Sequence, residues 1–178
     1  MTGLTAWKNR IVGHGDEAPD QLLANPKNWR VHPSQQQQAL EGVLDDVGWV
    51  QQVIVNRRTN TLIDGHLRVS LALRRNEPRV PVVYVDLSED EEALILATLD
   101  PLSAMAATDA AQLDALLREV SSDNAAVMQM LAELAEQAGV VTEGRGLDAP
   151  ETFNSYGDDI ETEYCCPKCG YEWSGKPK

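Results

Sequence analysis

The sequence is poor in aromatic residues, which form 5% of its 178 residues and include a single Phe. A chain of this length still buries a real hydrophobic core, so we expect that core to consist mainly of Leu, Val, Ala and Ile. Long apolar runs are absent too: no stretch of about 18 apolar residues is present, so no membrane-spanning helix is expected. The first residues lack the apolar segment of a secretory signal. We therefore expect a cytoplasmic protein with no membrane partner.

Cysteine is also scarce, with three residues that all lie near the C-terminus: Cys165, Cys166 and Cys169. This number is too small for a disulfide framework. The spacing Cys166-Pro-Lys-Cys169 is that of a zinc knuckle, in which two thiolates bind one edge of a tetrahedral Zn²⁺. A structural site needs four ligands, and Cys165 is only an additional candidate. Three outcomes stay open: two chains share one zinc, a partner completes the site, or the half-site binds no metal tightly.

Basic residues are outnumbered, and the net charge of −13 argues against a protein that simply coats phosphates. The charge is uneven, however. Residues 27–79 carry 8 basic and 5 acidic side chains, whereas residues 101–178 carry 5 basic and 14 acidic ones. An anion-binding site is therefore expected within residues 27–79.

The hydrophobic pattern predicts alternating helices and strands. Ser34 is a candidate cap for an amphipathic helix that Gly48 ends. "VQQVIVN" and "TLID" read as two strands of a hairpin joined by the turn "RRTN". A helix from Gly65 to about Arg75 follows, then the buried strand "VPVVYVDL". Ser88 begins a capping pattern for the next helix, whose acidic first turn suits the helix dipole, and Pro101 should end or kink it.

The C-terminal part of the chain divides into three segments by composition. Residues 108–139 predict a pair of helices, with Thr108 and Asp123 as caps and Gly139 as the stop. Residues 140–164 are acidic and weakly hydrophobic, which is typical of a linker. Residues 165–178 form the cysteine-containing tail.

The segment "LIDGHLR" puts unusual residues where a strand gives way to a helix. Free backbone N–H groups and the positive end of the helix dipole converge there and favour an anion. Gly65 permits close approach of a ligand, and the Arg68 guanidinium matches the geometry of phosphate. His66 is a candidate acid, base or donor near neutral pH. The alternative is structural: Gly65 only caps the helix, His66 lies on the surface, and Arg68 pairs with Asp64 or Glu77.

Four segments in this order resemble the ParB N-terminal domain of the ParB/sulfiredoxin superfamily, in its small phage-type branch. They are "NPKNWR", "VGWVQQVIV", "LIDGHLRVSLAL" and "VPVVYVDLSEDEEALILATL", and together they cover about residues 20–107. The resemblance implies an α+β fold in which helices flank a small mixed sheet. The helical pair and a largely irregular tail would follow this domain.

The resemblance also implies a nucleotide site, occupied by CTP or ATP with Mg²⁺. The residues that match its phosphate-binding motifs are Asn25, Arg30, Gln51, Gly65, His66 and Arg68. His66, the one catalytic candidate, falls where CTP-hydrolysing partition proteins have Glu and sulfiredoxins have Cys. Sulfinate repair is therefore excluded, and CTP hydrolysis does not carry over directly.

Several residues near these motifs have two interpretations each. Trp beside Arg suits stacking on a nucleobase, but large aromatic residues more often anchor packing, which we prefer for Trp29 and Trp49. His32 has no second metal ligand at useful spacing, so phosphate or substrate contact is its functional alternative. Gln52 stands beside Gln51 as another contact candidate. Asp100 would hold Mg²⁺ beside phosphates or end a turn, and we prefer the turn.

We predict a ParB-like protein that binds nucleotide or DNA phosphate in the partition, modification or regulation of phage or mobile-element DNA. It would act in the host cytoplasm, as a homodimer or with DNA or a DNA-modifying enzyme as partner. The second hypothesis is an enzyme, a nucleotidase, nuclease or phosphotransferase that uses His66. The third is a non-catalytic adaptor that binds through the helical pair and the cysteine tail. Residues 108–139 are too short and too acidic for a helix-turn-helix with a dimerisation domain.

Overall fold

A computed structural model describes residues 6–140 and two short strands near the C-terminus. The chain divides into two compact units, Met1–Thr142 and Glu143–Lys178. The elements of the first unit are β1 (Ile11–Glu17), a 3₁₀ turn (Pro19–Gln21), α1 (Ser34–Val47), β2 (Val53–Asn56), β3 (Thr61–Asp64), α2 (His66–Arg75), β4 (Val80–Val85), α3 (Glu89–Ala104), α4 (Ala110–Glu119) and α5 (Ala125–Gln137).

Strands β1 to β4 form one mixed sheet in the order β1-β4-β2-β3. The β1–β4 and β2–β3 pairs are antiparallel, whereas β2 and β4 are parallel. A parallel pair needs a crossover connection, which β3 and α2 supply. A mixed sheet with flanking helices is the α+β fold that the sequence predicted, and that prediction is confirmed.

The core lies between one face of the sheet and helix α2. Strand residues that alternate along β2, β3 and β4 meet two small side chains of the helix, and the buried cluster is Val53, Val55, Leu62, Val69, Ala72, Val80 and Val82. These are the residue types that the scarcity of aromatics predicted. Trp49 and Tyr84 pack against the cluster from its edge, so packing is the observed role of Trp49.

Strand β1 was missed by the sequence analysis. Its glycines weaken the strand pattern. A Cβ at Gly15 would lie 3.5 Å from the Tyr84 ring, and the Tyr84 hydroxyl donates a hydrogen bond to Glu17. Since β1 is held by β4 rather than by its own propensity, local pattern could not reveal it. The sheet thus begins before residue 20.

The ends of α1 and α5 agree with the predicted stops, whereas the caps of α1, α4 and α5 differ from the predicted ones. Gly48 and Gly139 adopt positive φ directly after α1 and near the end of α5. Ser34 makes no capping hydrogen bond and is the first residue of α1. The caps of α4 and α5 are Asp109 and Asn124, each one residue after the predicted Thr108 and Asp123. Their side chains reach the N–H groups two and three residues ahead, as capping requires.

Helix α3 begins where predicted and ends later than predicted. Ser88 and Glu91 form a complete capping box. Pro101 lies inside the helix, which continues to Ala104. Proline removes one hydrogen bond of the helix and leaves the others intact, so α3 does not end at Pro101, which was one of the two outcomes expected there.

The helical pair of α4 and α5 belongs to the first unit, where α5 approaches α1 closely. A Cβ at Gly42 of α1 would lie 2.5 Å from Asn124 Cγ and 2.7 Å from Val127 Cγ2. Only glycine leaves room for the cap of α5 at this point. None of the helices within residues 6–140 is long and apolar enough to cross a bilayer.

The second unit contains the antiparallel strands β5 (Tyr164–Cys165) and β6 (Glu172–Trp173). Tyr164 lies opposite Trp173, and Cys165 lies opposite Glu172. The predicted zinc ligands Cys166 and Cys169 lie outside the described residues, as does most of the predicted linker.

Candidate functional site

The corner between β3 and α2 is built around Gly65. This residue caps α2 with φ of 91°, and a Cβ there would lie 2.5 Å from Val53 Cγ1 and 3.2 Å from Val53 Cα. Both the positive φ and the contact with β2 require glycine. The first helical hydrogen bond runs from the Val69 N–H to the Gly65 carbonyl (2.9 Å). The amides of the three residues between them therefore start the helix without an intrahelical acceptor.

A cleft of about 220 Å³ opens in front of this helix start. Its walls come from the loop before α1, from α1, from the β3–α2 corner and from α3. It contains five of the six predicted phosphate-binding residues, and Asn25 is the exception. The lining residues are Asn28, Arg30, His32, Gln36, Leu40, Gln51, Ile63, Asp64, Gly65, His66, Leu67, Arg68, Leu96 and Asp100.

Arg68 is the most buried cation of the cleft, with 13% of its side chain exposed. One terminal nitrogen lies 2.6 Å from Asp64 Oδ2, and the other donates to Gln51 Oε1 (2.7 Å). Its Nε is buried without a hydrogen-bond partner. A buried donor that stays unpaired costs free energy, so the two protein partners leave part of the hydrogen-bonding capacity of this guanidinium unused. Arg68 therefore pairs with Asp64, as the structural alternative predicted, and it also lines the cleft.

Arg30 provides the second cation, across the cleft from α2. Its guanidinium lies 2.6 Å from Asp100 Oδ2 of α3 and 5.8 Å from the centre of the Trp29 ring. The Trp29 indole N–H donates to the Leu96 carbonyl (3.2 Å), and the residue is 60% exposed. Asp100 therefore forms an ion pair rather than ending a turn. Two arginines and two aspartates leave the cleft close to electrically balanced.

His66 opens α2 and is held by the loop before α1. Its Nε2 accepts a hydrogen bond from the Asn25 N–H (3.2 Å). Burial lowers the pKa of His66 below its usual value, and His32 adds to this, while Asp64 acts in the opposite direction. The ring is therefore neutral at pH 7. Because Nε2 accepts, the proton of the neutral ring is on Nδ1.

The Asn25 side chain points away from the cleft, into a polar cluster that the sequence analysis missed. It donates to Glu92 Oε1 (2.7 Å) and to Thr61 Oγ1 (3.1 Å), and Asn25 is buried. In the sequence Glu92 is one of four acidic residues in the first turn of α3, and no local signal separates it from its neighbours. The i, i+4, i+8 spacing of Glu92, Leu96 and Asp100 does place it on the face of α3 that lines the cleft.

The two glutamines before β2 have different environments. Gln51 contacts Arg68 in the cleft, as described above. Gln52 Oε1 accepts from His14 Nδ1 (2.9 Å), and its amide donates to the Val82 carbonyl (3.3 Å), so it serves the sheet. His32 lines the cleft with its Nδ1 3.0 Å from Gln36 Oε1. Within residues 6–140, no group of three or more His, Cys, Asp or Glu side chains could hold a metal ion.

Acidification is expected to destabilise the protein through His66. The folded state keeps this ring neutral, so the unfolded chain binds the proton more readily below about pH 6.5. The contribution of the neutral His66 ring to the free energy of unfolding is complete above that pH. It is lost as the pH falls from there through the lower pKa of the folded state. His66→Gln retains an acceptor and does not titrate.

Urea unfolding from pH 8 to pH 5 measures this effect. We expect the stability of the native protein relative to His66→Gln to fall on acidification, with a slope of at most about 1.4 kcal/mol per pH unit. A difference that stays constant with pH would contradict the assignment of a lowered pKa.

No family model and no curated protein matches the chain. Among solved structures it is similar to the C-terminally truncated chromosome-partitioning protein ParB from Caulobacter crescentus, in complex with CTP-γ-S. The identity is 17% and the TM-score 0.50, over 60% of this chain and 62% of that one. Two structures of pNOB8-like ParB N-domains are 20% and 14% identical, with TM-scores of 0.44 and 0.46. They are matched over 74% and 76% of this chain and 53% and 47% of theirs.

The chain thus spans less than two thirds of each of these proteins, and the likeness concerns the arrangement of elements. The mixed sheet, the β3–α2 corner and the flanking helices are the parts that the sequence resemblance predicted. The chain therefore has the α+β fold of the ParB N-terminal region.

Proposed function

We propose that the cleft at Gly65 binds the phosphate groups of a nucleoside triphosphate, CTP or ATP, or of a nucleic acid. The observation that carries the proposal is the start of α2. Free helix amides and Arg68, with its unpaired buried Nε, meet on one cleft wall. Helix amides and a guanidinium are the groups that bind phosphate best in proteins. The Caulobacter crescentus protein was solved with CTP-γ-S, which makes CTP the first nucleotide to test.

The balanced charge of the cleft favours a ligand that brings its own cation. Arg68 and Arg30 each have a carboxylate 2.6 Å away, so little net charge is left to offset a triphosphate. Mg²⁺ carried by the nucleotide would supply it, and Asp64 and Asp100 are oxygen donors that suit Mg²⁺. We therefore expect nucleotide binding to be tighter with Mg²⁺ than without it.

Isothermal titration with CTP, ATP, inorganic phosphate and a short DNA duplex, each with and without Mg²⁺, tests the proposal. Saturable binding of one nucleotide per chain supports a nucleotide site. Binding of the duplex alone, with a strong dependence on salt, would point to nucleic-acid phosphate. If none of the four ligands gives a measurable heat of binding, the proposal is overturned. A role in phage or mobile-element DNA metabolism stays a prediction of the sequence resemblance.

The second candidate is an enzyme that cleaves or transfers phosphate with His66. The hydrogen bond from Asn25 occupies the only unprotonated nitrogen of the ring. The neutral ring can therefore donate a hydrogen bond from Nδ1, but it takes up a proton only by losing this contact. That geometry favours binding over acid–base catalysis. Hydrolysis of a nucleotide or of DNA that persists in His66→Gln would exclude His66 from the chemistry.

We also propose that Cys166 and Cys169 bind zinc, with two chains sharing one ion. The support is the CxxC spacing together with the pairing of β5 with β6, which flank the two cysteines in the sequence. Four thiolates from two chains complete a tetrahedral site, so we expect about 0.5 zinc per chain in a dimer. Cys166→Ser should lose both the zinc and the dimer, whereas Cys165→Ser should keep them. Unchanged zinc content in Cys166→Ser would exclude this site.

A further inference from the structure

Glu92 is a buried carboxylate for which the binding site described above has no role. It is 5% exposed, and among the described residues it forms no ion pair. It accepts hydrogen bonds from four neutral donors instead: Asn25 Nδ2 (2.7 Å), Asn56 Nδ2 (2.5 Å), Thr59 Oγ1 (2.6 Å) and Thr61 Oγ1 (3.4 Å). A buried charge is costly unless hydrogen bonds compensate it, and here both oxygens are supplied. These four donors favour the ionised form of the Glu92 carboxylate.

The four donors belong to separate parts of the chain. Asn25 is in the loop before α1, Asn56 ends β2, and Thr59 and Thr61 belong to the hairpin turn and the start of β3. Asn56 is fully buried and also bonds both the N–H and the carbonyl of Leu87, just before α3. Glu92 therefore ties the start of α3 to the hairpin and to the loop before α1.

Asn25 extends this connection to the cleft. Its side chain donates to Glu92, and its Oδ1 accepts from the Lys27 N–H (2.9 Å). With the side chain fixed at both ends, its backbone N–H is directed at His66 Nε2 (3.2 Å). This N–H requires an acceptor, which only the Nδ1–H form of the neutral ring offers.

Glu92 also holds the opposite wall of the cleft. Leu96 and Asp100 follow it at intervals of four residues, so all three lie on one face of α3. Asp100 pairs with Arg30, and the Leu96 carbonyl accepts from the Trp29 indole. A shift of α3 at Glu92 would move these cleft contacts as well.

We propose that Glu92 is the positioning residue of the cleft. Through Asn25 it fixes His66 in the Nδ1–H tautomer and leaves Nδ1–H as the ring's free donor for a phosphate oxygen. The ligand in this statement rests on the proposed function, but the tautomer is a property of the free protein. Ionisation of Glu92 is consistent with this role, because its hydrogen bonds outweigh burial and keep its pKa below the usual value.

Glu92→Gln tests the role with little change in size. In either orientation its NH2 group faces the NH2 group of Asn25 or of Asn56, which has no acceptor to offer, so at least one of the four contacts breaks. Asp90→Asn is the matched control, because it removes the same charge from the same turn of α3 at an exposed position. Nitrogen-15 NMR of the three histidines at a pH of about 8.5, where the rings are neutral, reports the tautomer directly.

For the native protein and Asp90→Asn we expect an unprotonated Nε2 at His66. For Glu92→Gln we expect a mixture of tautomers, and exchange of the Asn25 amide that is faster by about tenfold. If Glu92→Gln proves too unstable, Asn25→Ala keeps the backbone N–H and breaks the same connection, so the same mixture is expected. A single Nδ1–H tautomer in these variants would overturn the proposal.

Phosphate titrations separate this proposal from the proposed function. If the tautomer responds as expected but the native protein binds neither CTP, ATP nor inorganic phosphate, the positioning role stands and the binding function fails. If the native protein binds and Glu92→Gln retains both the tautomer and the affinity, the binding function stands and the positioning role fails.

Discussion

Gly65→Ala is expected to lower the free energy of unfolding by about 2–5 kcal/mol. Two costs add at this residue. The left-handed backbone, with φ of 91°, costs a residue with a Cβ about 1–2 kcal/mol, and overpacking costs about 1–3 kcal/mol more. The added Cβ would lie 2.5 Å from Val53 Cγ1 and 3.2 Å from its Cα. Since Val53 is fully buried and its backbone is part of the sheet, it cannot move away from the added Cβ without a further loss of stability.

Gly139→Ala is the matched control for this experiment. Gly139 also has positive φ (67°), but a Cβ there would meet nothing within 4 Å. It should therefore show the backbone cost alone, about 1–2 kcal/mol. Urea unfolding at pH 7 compares the two variants. Equal losses would mean that the contact with Val53 contributes nothing to the corner.

Arg68→Ala is expected to weaken phosphate binding by about 100-fold or more. The substitution removes charge-assisted hydrogen bonds, worth about 1.5–3 kcal/mol each, and leaves the Asp64 carboxylate without its partner at 2.6 Å. The freed negative charge then repels the ligand. Arg68→Lys keeps the charge but not the fork, so we expect an intermediate loss of about tenfold.

The control for this comparison lies on the same helix. Arg74 is exposed, contacts Gln37 and Glu41, and does not line the cleft. Titration of the best-bound nucleotide at fixed salt should give Arg74→Ala an affinity close to the native one. Equal affinities for Arg68→Ala and the native protein would remove Arg68 from the site. Circular dichroism establishes that each variant is folded.

Local signals were sufficient where neighbouring residues decide the structure. The hairpin at residues 53–64, the start of α2 at Gly65 and the capping box at Ser88 each depend on residues close in sequence, and all are confirmed. Strand β1 depends on Tyr84 of β4, some seventy residues away, and was missed for that reason. Pro101 was expected to end or kink α3; the helix does not end there and continues to Ala104.

In the candidate site, too, features that depend on neighbouring residues were predicted and one that depends on a distant residue was not. The spacing in "DGHLR" places Gly65, His66 and Arg68 on one helix start, and the structure confirms that juxtaposition. Ion pairing of Arg68 with Asp64 also follows from i, i+4 spacing. The orientation of Asn25 could not be predicted, because its side-chain acceptor Glu92 lies sixty-seven residues further along the chain.

The most direct test of phosphate binding at the β3–α2 corner is an amide chemical-shift titration of the native protein. CTP with Mg²⁺ is added to nitrogen-15-labelled protein until the shifts saturate, with inorganic phosphate as a second ligand. We predict that the largest changes occur at the amides of Gly65, His66, Leu67 and Arg68, followed by Arg30. No change at saturating ligand, or changes that cluster away from this corner, would contradict the account.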